Sequence, residues 1–294
     1  MMYNEQLITT PNGDVVEVAT VGNPDGHTVF FHHGTPGSAP FAASFADVVG
    51  PANIFLVTMS RPGYGNSSRR ERRDVASVVG DVTVVLDALQ RDQYVSVGWS
   101  GGGPHALACA ALDSPRCLAA WSLAGVVPTD VDFDWTEGMG PENLEEFALA
   151  VEGGPRYDDH MALACAQFRE ATSDNVIELF GGLLSEVDKT ALRSASTRSA
   201  LAASCRHAFA NGVGGYHDDD RAFFSAWGFD VGSITVPVSV WYGDEDLMVP
   251  PTHGAWLTSH LPSASVVHHP HEGHISLVTN HVESLFSSIA LAFH

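Results

Sequence analysis

The chain has 294 residues, of which 45% are hydrophobic, so it is long enough for one large folded domain and is not generally disordered. Its formal net charge is −21, because 35 acidic residues outnumber 14 Lys and Arg residues. A field of this sign repels nucleic acids and anionic membrane surfaces, and we expect neither as a partner. We expect instead a small-molecule substrate that is neutral or apolar.

The four cysteines show neither C-x-x-C spacing nor a compact disulfide framework. We therefore expect no disulfide, no structural zinc and a reduced, cytoplasmic protein. The first residues lack a basic region followed by an apolar one, which we interpret as the absence of a secretory signal. No apolar run approaches the length of a membrane span.

Short apolar runs alternate with helical patterns, which is typical of an α/β fold with a mostly parallel central sheet flanked by helices. The segment from Asp74 has apolar residues at helical spacing, with Asp74 as the predicted N-cap. Later helices are predicted over residues 252–261 and 275–293. The predicted strands are residues 15–21, 28–31, 54–59, 94–97, 118–123, 238–242 and 265–268.

The pattern changes between residues 129 and 232, where strand-like runs vanish and helical segments with polar loops dominate. We expect residues 1–128 and 233–294 to form the α/β core, and residues 129–232 to form a helical cap inserted into it. One cap helix, over residues 141–152, has proline in its first turn and stops at two glycines. The other predicted cap helices are residues 158–171, 174–184, 197–210 and 219–226.

A Gly-x-Ser-x-Gly pattern, Gly98-Trp99-Ser100-Gly101-Gly102, lies between the predicted strand 94–97 and an alanine-rich helical stretch. By itself the pattern also fits an ordinary serine N-cap after a glycine turn. The strand before it and the helix after it favour a sharp turn that exposes the Ser100 hydroxyl to a base. We therefore predict that Ser100 is a nucleophile.

A serine hydroxyl needs a base, usually a histidine, and a group that orients that base. Among 15 histidines, His274 follows the last predicted strand and Gly273, at the sheet edge where sites on open α/β sheets form. His271 is the alternative base. For the orienting acid we favour Asp246, which precedes an apolar stretch, over Asp244 in the same loop.

The strand over residues 28–31 ends in a glycine-rich loop that carries Thr35. Acyl transfer needs two N–H donors for the developing oxyanion, and we expect them from Thr35 and Gly101. An ordinary strand-to-helix loop is the alternative interpretation of this segment. His32 and His33 are adjacent on a strand and face opposite ways, so we expect no metal site there. We also expect no cofactor.

With these motifs the chain resembles an α/β-hydrolase fold enzyme with a helical cap, over essentially its full length. The chain order Ser100, Asp246, His274 is the order of that family. Ser60 is a departure, since the family often has aspartate there. The matching motifs are His33-Gly34-Thr35-Pro36-Gly37, Arg61-Pro62-Gly63-Tyr64-Gly65-Asn66-Ser67, Gly98-Trp99-Ser100-Gly101-Gly102, Gly243-x-x-Asp246-x-x-Val249-Pro250 and Gly273-His274.

The resemblance implies a serine hydrolase that cleaves a small carboxylic ester through an acyl-enzyme, with Ser100, His274 and Asp246 as the triad. Hydrolysis of a C–C bond, or of an amide as in proline iminopeptidases, is the alternative. A non-catalytic ligand receptor on the same fold is a third possibility.

The predicted cap contains acidic and apolar residues that could face a substrate. We expect the acids to lie on solvated helix faces rather than to bind a substrate amine, and the apolar residues to form the core of the cap. The acids are Glu145, Glu146, Asp158, Asp159, Asp218, Asp219 and Asp220. The apolar residues are Leu144, Phe147, Met161, Phe168 and Phe180.

Overall fold

Eight β-strands form one sheet in a computed structural model that describes residues 2–293. The strand order is β1-β2-β4-β3-β5-β6-β7-β8. Strands β1 and β2 pair antiparallel, as do β2 and β4, and all other neighbours are parallel. The strands are β1 Met2–Thr9, β2 Val15–Gly22, β3 His27–His32, β4 Ile54–Met59, β5 Tyr94–Trp99, β6 Cys117–Leu123, β7 Val238–Gly243 and β8 Ala264–His269.

The central strands are covered by helices on both faces. Every residue of β4 and β5 is buried, so these strands are continuous apolar runs and not alternating patterns. All seven predicted strands are present, and the predicted α/β fold with a mostly parallel sheet is confirmed. Strand β1 was missed, because this edge strand carries polar residues such as Asn4, Glu5 and Gln6 and has no apolar run.

Twelve α-helices lie in the part of the chain that the structure describes. Six of them, α4 to α9, lie between β6 and β7, where the described residues contain no strand. The helices are α1 Ala46–Val49, α2 Val78–Ala88, α3 Gly103–Leu112, α4 Pro141–Glu152, α5 Pro155–Arg169, α6 Val176–Phe180, α7 Glu186–Ala191, α8 Ala195–Ala208, α9 Gly214–Phe223, α10 Pro251–His260, α11 Ser276–Thr279 and α12 Val282–Leu291.

Three helical predictions need correction. Helix α2 begins at Val78, because Asp74 caps a separate turn by accepting a bond of 2.8 Å from the Ser77 N–H. The predicted last helix is two helices, interrupted at Asn280 and His281, whose side chains bond to the Glu272 carboxylate. The helix predicted over residues 219–226 is α9, which begins earlier, and α7 was not predicted.

The segment between β6 and β7 packs against the sheet. Phe147, Phe180 and Phe223 from its helices belong to the same hydrophobic core as the central strands. A second, smaller cluster contains Tyr157 and Met161 of the segment together with Tyr64, which follows β4. The segment is therefore anchored by burial of its own apolar residues on the core. Within residues 2–293, no helix has both the length and the apolarity needed to cross a membrane.

Candidate active site

Ser100 occupies the turn between β5 and α3, and its φ is +58°. This left-handed backbone is rare for a residue other than glycine and marks a tight turn. A Cβ on Gly98 would meet the Gly102 carbonyl oxygen, and a Cβ on Gly102 would meet the His32 carbonyl oxygen. The two glycines are therefore required for the turn to close over the ends of β5 and β3.

His274 and Asp246 meet in a buried pair after β8 and β7. His274 Nδ1 lies 2.7 Å from Asp246 Oδ2, and the two side chains are 2% and 0% exposed. The other carboxylate oxygen, Oδ1, accepts bonds of 2.8 Å from the N–H groups of Met248 and Val249. These bonds fix the Asp246 carboxylate so that Oδ2 points to the imidazole.

The charge balance around His274 favours its protonated form. Burial lowers the pKa of the imidazole, but the charge of Asp246, its hydrogen bond and the charge of Asp188 raise it, and the net pKa is above the ordinary value. Within residues 2–293, His274 Nε2 has no hydrogen-bond partner. Ser100 and His274 line the same small cavity.

The alternative acid and base lie elsewhere. Asp244 is about half exposed and lies 2.6 Å from His268 Nε2 at the edge of the sheet. The His271 side chain is 90% exposed in the loop before Gly273. The structure therefore brings together Asp246 and His274, the preferred pair, and leaves both alternatives on the surface.

The loop that carries Thr35 packs directly on the serine turn. A Cβ added to Gly101 would overlap the Thr35 side chain, and Ser100, Gly101 and Thr35 line one cavity. Arg61 is hydrogen-bonded to this loop. Its guanidinium donates to the carbonyl oxygens of His33 and Gly34 and to Thr35 Oγ1, the last at 2.9 Å. The two expected oxyanion donors, Thr35 and Gly101, are thus on neighbouring backbone segments.

Asp219 of α9 completes this network. Its carboxylate lies 2.6 Å from Arg61 Nη2 and 2.7 Å from Arg73 Nη2, and it accepts a bond of 2.7 Å from Thr35 Oγ1. Burial alone would raise the pKa of Asp219, but the charges of Arg61 and Arg73 hold it well below its usual range. The expected solvated position for Asp219 is wrong. The sequence analysis identified the motif that contains Arg61, but no pattern in the sequence identified Asp219 as the partner of the arginine.

Glu146 and Asp220 form a second buried acidic group, and here too the expected solvated positions are wrong. Tyr216 Oη donates to Glu146, and Tyr157 Oη donates to Asp220 over 2.7 Å. Burial, together with the repulsion between the two carboxylates, raises the pKa of Asp220 well above its usual range. Burial also raises the pKa of Glu146, to about 7. The pair therefore retains a proton near neutral pH.

Asp188 of α7 contacts the loop of His274 and was missed by the sequence analysis. Its carboxylate accepts backbone N–H bonds from His274, Ile275 and Ser276 at 2.8 to 3.0 Å. The Ser185-x-x-Asp188 spacing is a helix-start signal, and Ser185 does cap α7. That signal predicts the helix but not the contact with residues almost 90 positions later.

His32 and His33 each make hydrogen bonds within the core of the fold. His32 Nε2 lies 3.1 Å from Ser96 Oγ, and His33 Nε2 accepts the Arg61 backbone N–H at 3.2 Å. Among the residues that the structure describes, no group of three or more His, Cys, Asp or Glu side chains is arranged to hold a metal ion. The four cysteines, Cys109, Cys117, Cys165 and Cys205, are free thiols.

Three cavities lie at or next to the serine turn: Ser100 lines two of them, and Trp99 lines the third. The roof cavity, about 300 Å³, extends from Ser100 to the helices between β6 and β7, with Phe147, Phe168 and Phe180 in its wall. The central cavity, about 40 Å³, is lined by Ser100 and His274. The side cavity, about 190 Å³, is lined by Phe41, Phe45, Trp99, Leu201, Ile275 and Val278, among others. Leu144 and Met161 are outside the lining of all three.

Comparison with known proteins identifies the family and the fold. Residues 27–281 match the family described as alpha/beta hydrolase fold. The non-heme chloroperoxidase of Streptomyces lividans is 29% identical over 147 residues, which are 49% of this chain and 53% of that relative. The chain therefore matches about half the length of this curated relative.

Two solved structures share the fold along the whole chain. An alpha/beta hydrolase fold protein from Nakamurella multipartita is 21% identical, with a TM-score of 0.70 and coverage of 99% of this chain and 100% of that protein. An esterase from Exiguobacterium antarcticum is 15% identical, with a TM-score of 0.71 and coverage of 99% and 100%. From its sequence match and its fold, the chain belongs to the alpha/beta hydrolase fold family.

Proposed function

We propose that the protein is a serine hydrolase that cleaves a small carboxylic ester, with Ser100 as nucleophile, His274 as base and Asp246 as orienting acid. The observation that carries the proposal is the buried contact of 2.7 Å between His274 Nδ1 and Asp246 Oδ2. This contact leaves Nε2 as the nitrogen that can take a proton, beside a cavity that Ser100 also lines.

The reaction proceeds in two acyl-transfer steps. His274 takes the proton of the Ser100 hydroxyl while the oxygen attacks the ester carbonyl, and the oxyanion is held by the N–H groups of Thr35 and Gly101. His274 then gives the proton to the leaving alcohol. Water, activated by the same histidine, hydrolyses the acyl-enzyme and restores Ser100. Asp246 stabilises the imidazolium that forms in each step.

Two observations count against an amine-binding site built from the buried acids of the predicted cap. Asp218 and Asp219, two of the acids that could bind an amine, are already paired with Arg69 and Arg61. The neighbouring Glu146 and Asp220 retain a proton near neutral pH and bond to tyrosines. The esterase among the structural relatives has the same fold, which is compatible with the proposal.

The test is hydrolysis of p-nitrophenyl acetate by the wild type and by Ser100→Ala. We expect the variant to lose about 10⁴-fold or more in kcat/KM, with an unchanged melting temperature. Ser259→Ala, on the exposed face of α10, is the matched control and keeps wild-type activity. Wild-type turnover in Ser100→Ala contradicts the proposal, and a single slow turnover by the wild type favours a ligand receptor.

A further inference from the structure

The three cavities form a series through the candidate active site. Ser100 and Thr35 line both the roof cavity and the central cavity. Trp99 and Ile275, the neighbours of Ser100 and His274 in the sequence, line both the central cavity and the side cavity. A bound ester can therefore extend from the serine in two directions, one towards each larger cavity.

The two larger cavities differ in chemistry. Three glutamates, Glu142, Glu145 and Glu146, line the roof cavity. None of the described residues that line the side cavity carries a charge. Three of its four hydroxyl groups are already bonded locally, on Ser44, Ser196 and Thr279. The side cavity therefore offers a ligand apolar surface and little hydrogen bonding.

Trp99 lines the side cavity and also contacts His274. Its ring stacks on the imidazole at 5.4 Å and on Phe41 at 5.6 Å. The only polar atom of the indole, Nε1, donates to the His274 carbonyl oxygen over 3.2 Å. The indole is thus held by both neighbours, and what it contributes to the cavity wall is carbon.

His274 fixes which part of an ester lies on which side. The proton that His274 carries must go to the oxygen of the leaving alcohol, so that oxygen lies next to the imidazole. The side cavity shares Trp99 and Ile275 with the central cavity, and Trp99 stacks on the imidazole, so the side cavity adjoins the central cavity on the histidine side. The expected oxyanion donors, Thr35 and Gly101, both line the roof cavity, and neither lines the side cavity. The acyl group accordingly extends into the roof cavity.

We infer that the side cavity is the leaving-group subsite, and that the natural substrate is an ester of an apolar alcohol with one aromatic ring or a short alkyl chain. The inference rests on the proposed function, because Ser100 and His274 define the leaving group. The volume of about 190 Å³ fits this size, since a closed apolar cavity of about 150 Å³ holds a benzene molecule.

The test compares benzyl acetate with methyl acetate, which share the acyl group, in the wild type and two filling variants. Ala200→Phe places a ring in the side cavity, whereas Leu163→Trp, at an exposed position of the roof cavity, is the matched control. We expect the wild type to prefer benzyl acetate. Ala200→Phe should lower kcat/KM for benzyl acetate about 10-fold or more, and that for methyl acetate by less than about 2-fold.

The control variant should keep the wild-type ratio between the two esters. Equal loss on both esters in Ala200→Phe, or loss of the benzyl preference in Leu163→Trp, overturns the inference. If Ala200→Phe does not fold, Thr197→Phe, from the same helix and cavity, replaces it. If Ser100→Ala abolishes hydrolysis of methyl acetate but the wild type shows no preference for benzyl acetate, the leaving-group subsite is overturned and the proposed function is kept. Ester hydrolysis that survives Ser100→Ala overturns the proposed function itself.

Discussion

The Asp188 carboxylate accepts the backbone N–H of His274 at 3.0 Å, and it also binds the two N–H groups that follow. Asp188 belongs to α7, between β6 and β7, whereas His274 follows the last strand. One buried side chain of the helical segment thus fixes the backbone that carries the imidazole. The charge of Asp188 also raises the pKa of His274.

Asp188→Asn should therefore change both the geometry and the titration of His274. Loss of the negative charge lowers the pKa of the imidazole, so the acid limb of the kcat/KM profile should move to lower pH. We also expect a loss of about 1–3 kcal/mol in the free energy of unfolding, because buried N–H groups lose a charged acceptor. A pH–rate profile and urea unfolding measure the two effects. Glu186→Gln, exposed on the same helix, is the control, and an unshifted acid limb in Asp188→Asn would contradict the coupling.

Asp219→Asn should be strongly destabilising. The substitution leaves Arg61 and Arg73 buried without a counter-charge, for which we expect a loss of about 3–5 kcal/mol in the free energy of unfolding. Arg156→Gln breaks a pair with Glu152 in which both side chains are exposed, by 72% and 52%, and it should cost about 1 kcal/mol or less. Urea unfolding of both variants gives the comparison. Similar losses in the two variants would contradict a larger stabilising contribution from the buried ion pairs of Asp219.

Glu146 makes the stability depend on pH. Its pKa rises from 4.5 to about 7 on burial, so the stabilising contribution of the neutral form is present below pH 4.5 and is lost as the pH rises through 7. Between pH 5 and 8, we expect the wild type to lose on the order of 2 kcal/mol relative to Glu146→Gln. Thermal unfolding across this pH range measures the difference, with Glu145→Gln as the exposed control. If stability depends on pH in the same way in the wild type and in Glu146→Gln, Glu146 is not the source of the pH dependence.

The serine turn should tolerate no side chain at Gly98. A Cβ there meets the Gly102 carbonyl oxygen, which is backbone and cannot rotate away, so Gly98→Ala should abolish folding or cost more than about 3 kcal/mol. At Gly80 of α2 a Cβ meets nothing within 4 Å, and Gly80→Ala should stabilise the protein by up to about 1 kcal/mol. Denaturant midpoints distinguish the two, and a stable, active Gly98→Ala variant would show that the turn can relax.

The sequence predicted the parts of the site that depend on local pattern. A buried strand followed by glycine and a polar residue is recognisable from neighbouring residues alone, so Ser100, Asp246 and His274 could each be assigned to the end of a strand. The central strands were predicted for the same reason, because burial on both faces requires continuous apolar runs. Strand β1 lies at the sheet edge, has no such run and was missed.

The contacts of the segment between β6 and β7 could be found only in the tertiary structure. Aspartates and glutamates in an amphipathic helix look solvated in the sequence, and whether they are buried depends on which distant cation or N–H group meets them. Asp219 meets Arg61, Asp188 meets the loop of His274, and Glu146 lies against Asp220. By itself the sequence determined the fold and the candidate nucleophile, base and acid, because these follow from local periodicity and turns. The tertiary structure alone decided which charges are buried together, because burial is a property of pairs far apart in the chain.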